Sequence, residues 1–238
     1  MKDVAAELDN KVGMAPQSSS NAMHEPKSEE PIQAQFDNPI VEARNAALSG
    51  DLTRAIALYR EIVLREPANM AARTALGMVY DRHGDFALAV EQFQAAKEID
   101  DENLDVLVNL GGAQASMGQF TQAERELRRA LRFDPDRAEA YVMLGVIYFR
   151  RGLYAQTEHE LRRALELDPQ SAVAHHYRGE ALNQLSRVDE ALVMIERAAQ
   201  LQPNHARTYF VMGILLDRKG RPAEAAAMYR KARELTEA

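Results

Sequence analysis

Apolar side chains recur along this chain three and four residues apart, in short stretches separated by glycine, proline and polar residues. Leu144 and Tyr148 show the spacing in one stretch, and Leu161, Ala164 and Leu165 show it in the next. Such spacing places the apolar side chains on one face of a helix, which is then buried against a neighbour. The pattern therefore predicts an all-α protein built from short amphipathic helices.

The whole pattern repeats every 34 residues, as the near-identical phrases ELRRALRFDP from Glu126 and ELRRALELDP from Glu160 illustrate. Units in this register begin at Phe36, Met70, Leu104, Ala138, Ala172 and Ala206, and repeat positions are counted from these residues. Position 8 is glycine in five of the six units, positions 20 and 27 are mostly alanine, and position 24 is always large. Small residues let two helices approach closely, and the large residue fills the space beside them. A repeat of this length indicates a stack of similar units.

Helix ends are marked within the units. Gly84, Gly118, Gly152 and Gly220 follow the first apolar stretch of their units, where helices commonly end in the left-handed conformation. A proline, which cannot continue a helix, stands at position 32 of four units: Pro67, Pro135, Pro169 and Pro203. Each unit is therefore predicted to be a pair of antiparallel helices.

Two strings carry a recognisable signature: LGMVYDRHGDFALAVEQF from Leu76 and LGVIYFRRGLY from Leu144. They resemble the tetratricopeptide repeat, which combines a Leu-Gly pair, a tyrosine three residues later, a spaced alanine and phenylalanine, and a closing proline. The resemblance extends over residues 36–238. It implies an α-solenoid, a right-handed superhelix of six helix-turn-helix units.

Two units depart from this signature. The first has Pro39 and Glu42 where bulky residues are usual, and the fifth has Arg178 and Ser186 where leucine and glycine are usual. We expect these two units to be the least stable of the six.

Residues 1–35 lie outside the repeat pattern. They contain no aromatic residue, three prolines, and the polar run PQSSSN that begins at Pro16. Such a composition cannot bury enough apolar area to offset the entropy of an ordered chain, so we predict a disordered N-terminal tail. A short amphipathic stretch from Val4 to Val12 is a candidate for folding on binding.

Composition narrows the classes of function. The 238 residues are 46% hydrophobic, include no cysteine and carry a formal net charge of −7. No apolar run reaches the roughly 18 residues of a membrane-spanning helix, and the N-terminus lacks the features of a secretory signal. Disulfides and thiolate chemistry are excluded, and the charge argues against nucleic acid as the general partner. We expect a cytoplasmic protein with protein partners, of bacterial origin because arginine outnumbers lysine.

Catalytic and cofactor motifs are absent from the sequence. No phosphate-binding glycine loop, nucleophile elbow or paired-histidine metal motif occurs, so we expect no enzyme activity, no cofactor and no metal. His176 and Glu180, four residues apart on one predicted helix, are the one combination that suggests a metal or acid–base site. A surface hydrogen bond between them is the simpler interpretation. His175 stands where neighbouring units have Tyr141 and Tyr209, which indicates a packing role.

Position 26 is basic in four successive units: Arg129, Arg163, Arg197 and Lys231. Stacked units would align these side chains into a stripe on the outer face. The stripe is either a docking strip for an acidic partner or an RNA backbone, or a solvated face. We favour the solvated face, because Glu124 and Glu158 precede Arg128 and Arg162 by four residues and are placed to pair with them.

The family resemblance implies that the first helices of the units line a concave groove where partners bind. Positions 2, 5, 9, 12 and 13 usually point into this groove, and in the central units they are mostly apolar. The predicted partner-binding groove comprises Met78, Val108, Asn109, Gly112, Ala115, Val142, Val146, Phe149, His176, Glu180, Phe210 and Ile214. Gly112 is expected to leave bare backbone where a ligand could come close.

Capture of an acidic chaperone tail, known in one subgroup of the family, is disfavoured. That subgroup clamps two carboxylates with lysine and asparagine in one repeat, asparagine in the next, and lysine and arginine in the third. Asn109 occupies the place of the middle asparagine, but Thr74 and Met78 precede it and Glu139 and Met143 follow it at the matching positions.

These observations favour a passive adaptor that binds a peptide or helix with hydrophobic anchors in the groove. A second hypothesis is a structural scaffold that self-associates through its N-terminal tail or through the C-terminal end of the array. At that end Tyr229, Ala232 and Leu235 are expected to be exposed. The third hypothesis is the metal or catalytic site at His176 and Glu180.

Overall fold

The computed structural model describes residues 39–237, and every regular element in that range is an α-helix. The predicted tail disorder and the Val4 to Val12 stretch lie outside the described residues. The helices are α1 Pro39–Leu48, α2 Leu52–Arg65, α3 Met70–His83, α4 Phe86–Ile99, α5 Leu104–Ser116, α6 Phe120–Phe133, α7 Ala138–Arg150, α8 Tyr154–Leu167, α9 Ala172–Gln184, α10 Val188–Leu201, α11 Ala206–Arg218 and α12 Pro222–Glu237. Within residues 39–237, no helix combines the length and apolar character needed to cross a membrane.

Odd-numbered helices are the first helices of the units, and those from α3 to α11 begin at the residues where the sequence register places them, whereas α1 begins at Pro39. Three of these starts are capped by a side chain that accepts a hydrogen bond from a backbone N–H of the first turn. The caps are Asn69 to Ala72, Asn103 to Val106 and Ser171 to Ala174, at 3.0, 3.1 and 3.3 Å. Such bonds satisfy N–H groups that have no partner within the helix.

The predicted turns are formed as expected. Gly84, Gly118, Gly152 and Gly220 have φ values of 93°, 76°, 74° and 68°, in the left-handed region. In the fifth unit Ser186 takes this place with φ 62°, a conformation that side chains rarely adopt. The second helix ends two residues before the proline in each of the four units that carry one. The predicted all-α solenoid of helix pairs is confirmed.

Within a unit the two helices are locked together by the position 8 glycine and the position 24 side chain. Any Cβ on the glycine would overlap the side chain at position 24. The pairs are Gly77 with Phe93, Gly111 with Leu127, Gly145 with Leu161, Gly179 with Ile195 and Gly213 with Tyr229. The large residue therefore occupies the volume that the missing side chain leaves.

First helices of consecutive units also pack against one another: α3 with α5, α5 with α7, α7 with α9 and α9 with α11. Among the described residues, second helices of consecutive units make no comparable contact. The first helices therefore lie closer together and form the inner side of the array, with the second helices on the outer side.

Arginines at position 13 tie alternate units to the unit before. Arg82 Nη1 donates to the carbonyl of Ala47 at 3.0 Å, and Arg150 Nη1 donates to that of Ala115 at 3.2 Å. In the sixth unit, Arg218 Nη1 donates in the same way to the carbonyl of Asn183 at 2.9 Å. These carbonyls lie in the last turn of the preceding first helix, where each also accepts a hydrogen bond from a backbone N–H of the following turn. The arginines thus stabilise the stacking of units.

Candidate functional site

The predicted groove residues differ widely in exposure. Phe210 and Met78 are 52% and 48% exposed. Asn109, Gly112, Val142, Val146, Phe149 and Ile214 are half-buried. Val108, Ala115, His176 and Glu180 are buried by other helices of the same chain. We define the inner surface as Met78, Asn109, Val142, Val146, Phe149, Phe210 and Ile214.

The buried members of the predicted groove form its floor. Val108 packs in a cluster with Leu107, Leu144 and other residues of α5, α6 and α7. At Gly112 a Cβ would lie 3.2 Å from Cε of Met143, so this α7 side chain fills the space expected to admit a ligand. A partner therefore cannot reach the α5 backbone there without displacing Met143.

An aromatic row runs from the fourth unit to the fifth. The rings of Phe149 and Tyr177 meet edge to face at 5.3 Å, and Phe149 meets Tyr154 in the same way at 5.7 Å. Tyr177 continues the row to His176 at 5.4 Å. Tyr177 was not predicted: it lies at position 6, where Asn109 alone was included in the groove. Its size, among smaller residues at position 6 of other units, was the available signal.

A cavity of about 270 Å³ opens on the inner side between α9 and α11. It is lined by Glu180, Asn183, Gln184, Arg207, Phe210, Val211 and Ile214. One wall is apolar, with Phe210 and Ile214, and the other carries the Arg207 guanidinium. Arg207, at position 2, was also missed, although that position usually points into the groove.

His176 and Glu180 form a buried network and not the surface hydrogen bond that the sequence suggested. His176 Nε2 donates to the Glu180 carboxylate at 3.0 Å, and Arg207 donates to its two oxygens at 2.8 and 3.1 Å. The Thr208 hydroxyl lies 3.0 Å from His176 Nδ1 and 2.7 Å from His205 Nδ1. The network joins α9 to α11.

The electrostatics of this network favour a structural role. Burial acts to raise the pKa of Glu180, but hydrogen bonds from His176 and Arg207 outweigh it and lower this pKa to about 2. Burial and the neighbouring His176 lower the pKa of His205. Within the described residues, no group of three or more histidine or carboxylate side chains could hold a metal ion. The carboxylate is already saturated by protein donors, so this arrangement does not favour the metal hypothesis.

His175 replaces a tyrosine in both packing and bonding. Its Nε2 lies 3.1 Å from the carbonyl of Pro169, and the Tyr141 hydroxyl donates to the carbonyl of Pro135 at the same distance. Nδ1 of His175 is buried without a hydrogen-bond partner. Burial therefore lowers the pKa of His175.

Most side chains of the basic stripe at position 26 form hydrogen bonds with other residues of the array. Three of its members reach back to the turn that precedes their unit. The bonds are Arg129 to Asp101 at 2.7 Å, Arg163 to Asp136 at 3.0 Å and Arg197 to Gln170 at 3.1 Å. These side chains help to hold consecutive units together, so they do not form a free docking strip.

The expected pairing of Glu124 with Arg128, four residues apart, is wrong. Glu124 accepts hydrogen bonds from Tyr148 and Arg151 at 2.5 and 3.1 Å. Arg128 instead donates to Glu160 of the next unit at 2.7 Å. Contacts between helices replace the contact within one helix, because the side chains lean toward the adjacent unit.

The expected pairing of Glu158 with Arg162 is also wrong. Glu158 accepts a hydrogen bond from Arg178 in α9 at 2.9 Å. Arg162 makes no hydrogen bond or ion pair with the described residues.

Models of the tetratricopeptide repeat match residues 40–103, 82–145, 114–177 and 170–238, which together span the array. The chain belongs to the tetratricopeptide-repeat family. Proteins with this fold are typically non-catalytic, and the fold is consistent with a protein–protein interaction adaptor. A comparison with curated proteins finds no match.

Solved tetratricopeptide-repeat structures resemble this protein over most of its length. A crystal structure of MamA is 26% identical with a TM-score of 0.59, covering 68% of this chain and 95% of MamA. A tetratricopeptide-repeat protein from Parabacteroides merdae ATCC 43184 is 22% identical with a TM-score of 0.66. This match covers 84% of this chain and 80% of the Parabacteroides protein. YrrB, described as having an unusual peptide-binding site, is 19% identical with a TM-score of 0.55. This match covers 74% of this chain and 91% of YrrB. The last two show the fold alone.

Proposed function

We propose that this tetratricopeptide-repeat protein is a non-enzymatic adaptor that binds a segment of a partner protein on the inner surface. The observation that carries the proposal is the exposure of apolar side chains on two first helices, Met78 in α3 and Phe210 in α11. Val142, Val146 and Phe149 add half-buried apolar area between them. Exposed apolar area arranged in this way favours a partner that covers it.

The distribution of these side chains indicates an elongated ligand. They are spread over α3, α7 and α11, and a peptide or helix with spaced hydrophobic anchors is the ligand that can contact several of them. The cavity beside Phe210 and Ile214 suits one apolar anchor, and Arg207 stands at its polar wall. Asn109, half-buried on α5, offers its amide oxygen for a backbone hydrogen bond at the rim, since its Nδ2 already donates to the carbonyl of Asp105 at 2.8 Å.

Affinity selection of peptides tests this proposal. We would pan a displayed library of random peptides against the full-length protein and measure the binding of selected peptides by fluorescence anisotropy. We expect peptides with apolar residues at regular spacing. The variant V146D/F210D is expected to weaken their binding about tenfold or more, because buried anchors at an interface contribute most of its free energy.

The matched control is L64D/L88D, which places the same charges at exposed apolar residues of the outer helices α2 and α4. This variant is expected to bind the peptides as the wild type does, and circular dichroism checks that both variants keep their helices. Unchanged binding by V146D/F210D, or loss of binding in the outer variant alone, would refute the inner-surface proposal.

Self-association is a second candidate function, favoured by the last unit. A surface cavity of about 810 Å³ lies on the face of α11 and α12 that a further unit would cover. It is lined by Ala206, Arg207, Phe210, Tyr229, Ala232, Arg233 and Thr236. Ala232, which was expected to be exposed, is buried, whereas Tyr229 and Leu235 are half-buried. An end face of this kind can stack on another molecule.

Sedimentation velocity over a range of concentrations tests the second candidate. Stacking through the end face predicts a mass that rises with concentration and a T236R variant that stays monomeric. A wild-type protein that remains a monomer throughout would exclude it and would leave the inner-surface proposal untouched.

A further inference from the structure

The outer side of the third and fourth units carries a compact group of basic side chains. Arg125, Arg128 and Arg132 lie three and four residues apart on α6, which places them on one face of that helix. His159 and Arg162 lie on the neighbouring α8. The side chains of Arg125 and His159 are 76% and 68% exposed. We call these five residues the outer basic surface.

The two helices enclose a cavity within this surface. Its volume is about 340 Å³, and its lining residues are Arg128, Tyr141, His159, Glu160, Arg162, Arg163 and Glu166. Arg128, His159 and Arg162 of the outer basic surface therefore line a concave space large enough for a small acidic group, together with Arg163 and two glutamates. This part of the surface is therefore both concave and lined by basic side chains.

Acidic residues of this region lie beneath the surface or are already paired. Glu126 and Glu160 are 2% and 4% exposed. Lys97 donates to Glu126 at 2.6 Å, and Arg128 donates to Glu160 at 2.7 Å. Glu126 is held by Lys97 and by a longer contact from Arg125, and Glu160 is held by Arg128, so these buried carboxylates leave Arg132 and Arg162 without an acidic partner.

Two exposed acids that contact Arg163 of the cavity lining are also paired. Asp136 and Glu166 both accept hydrogen bonds from Arg163, at 3.0 and 3.2 Å. Arg132 and Arg162 make no hydrogen bond or ion pair with residues 39–237, and Arg125 makes one long contact with Glu126 at 3.3 Å. Their donors are available to a ligand.

Comparison of the units shows that the fold does not require these arginines. Position 29, occupied by Arg132 in the third unit, is Glu98, Glu166 and Glu234 in three others. The same scaffold therefore accepts the opposite charge at this outer position. Position 22 leads to the same conclusion. It is Arg125 and His159 in the third and fourth units but Glu91, Val193 and Ala227 in the second, fifth and sixth. At positions 22 and 29 the positive charge is confined to the third and fourth units, whereas position 25, occupied there by Arg128 and Arg162, is also arginine in the first and sixth units.

We propose that the outer basic surface docks an acidic segment of a partner protein. Guanidinium groups bind carboxylates through paired hydrogen bonds, and Arg125, Arg132 and Arg162 can offer them. The surface spans about 10 Å along α6 from Arg125 to Arg132, the length of a short acidic segment. A short acidic segment can stay within this basic span, whereas a long polyanion such as RNA would extend over the rest of a chain whose net charge is −7. This site lies on the second helices and is independent of the inner surface.

A fluorescein-labelled octaglutamate peptide provides the test, with the full-length protein and fluorescence anisotropy. We expect wild-type binding that weakens as the salt concentration rises from about 50 to 300 mM. The variant R125Q/R132Q/R162Q is expected to bind about tenfold more weakly, since the paired hydrogen bonds are lost. Arg128 is left unchanged because it holds the buried Glu160.

The matched control is R60Q/R230Q/R233Q, which removes the same charge from the outer helices of the first and sixth units. It is expected to bind octaglutamate within about twofold of the wild type. An equal loss in both variants would show a non-specific charge effect and would overturn the proposal. So would absence of peptide binding, or tighter binding of a uridine 15-mer or of phosphatidylserine vesicles than of octaglutamate.

Discussion

Gly145 in α7 lies directly against Leu161 in α8, and a Cβ at residue 145 would come within 2.5 Å of Cγ of Leu161. Leu161 is fully buried and cannot move aside. Alanine normally favours a helix over glycine by about 1 kcal/mol, but overpacking here is expected to exceed that gain. We predict that G145A lowers the free energy of unfolding by about 2 kcal/mol, measured by chemical denaturation.

Gly112 provides the matched control, because it lies in the preceding first helix but faces Cε of Met143 at 3.2 Å. The end of a methionine side chain can move, so G112A is expected to be neutral or stabilising by up to about 1 kcal/mol. Equal effects of the two substitutions would contradict the packing explanation.

Ser186 offers a stabilising substitution at the turn between α9 and α10. Its φ of 62° lies in the region that glycine occupies at the corresponding turns, such as Gly152 with φ 74°. The left-handed conformation costs a residue with a side chain about 1 kcal/mol. We predict that S186G raises the free energy of unfolding by about this amount. Thermal denaturation would measure it.

The reverse substitution, G152S, is the control for this turn. It is expected to lower stability by a similar amount in the fourth unit. A destabilising S186G variant would mean that the Ser186 side chain makes a contribution larger than its backbone strain.

The architecture was predictable because the residues that define it act within one unit. Gly145 and Leu161 are 16 positions apart in the register, and their small and large sizes recur in most units. Gly152 and Pro169 mark helix ends by their own backbone chemistry. Each of these local signals recurs in most units, so the starts of the helices can be predicted from the sequence alone.

The candidate site was less predictable because its exposure depends on contacts between units. Val108 occupies a position that usually faces the groove, but it is buried in a cluster with residues of α6 and α7. Arg150 bonds to a carbonyl 35 residues earlier, and Arg128 bonds to Glu160 in the next unit. Partners of this kind differ from unit to unit, so a repeat pattern does not specify them.

Glu180 is expected to contribute stability that is lost in acid. Its folded-state pKa of about 2 lies below the usual glutamate value, so the ionised carboxylate stabilises the fold above about pH 4.5. This contribution disappears as the pH falls from about 4.5 toward 2. We predict that E180Q is less stable than the wild type by about 2 kcal/mol at pH 7 and that the difference shrinks below pH 4.

Denaturant unfolding at several pH values would measure this difference, with E98Q as the control at an exposed carboxylate of α4. The control is expected to match the wild type across the same range. A difference between E180Q and the wild type that is constant from pH 7 to pH 3 would contradict the role of the ionised carboxylate.

His175 is expected to make the fold sensitive to mild acid. Burial lowers its folded-state pKa below the ordinary value of about 6.5, so its neutral form stabilises the fold above that value. The contribution is lost as the pH falls from about 6.5 toward the lowered pKa, because the unfolded chain takes up the proton more readily. Protonation of Nδ1, which has no hydrogen-bond partner, would also create a buried N–H donor without an acceptor.

The variant H175Y tests this effect, because tyrosine fits the same position in neighbouring units and Tyr141 makes the equivalent bond to a proline carbonyl. We predict that H175Y gains stability relative to the wild type at pH 5.5 but much less at pH 8, measured by urea denaturation. The pKa of His205 is lowered as well, so some dependence on pH remains in the variant. Substitution of the exposed His159 by glutamine is the control and should leave the pH dependence unchanged. A gain for H175Y that is the same at both pH values would assign the effect to packing and not to protonation.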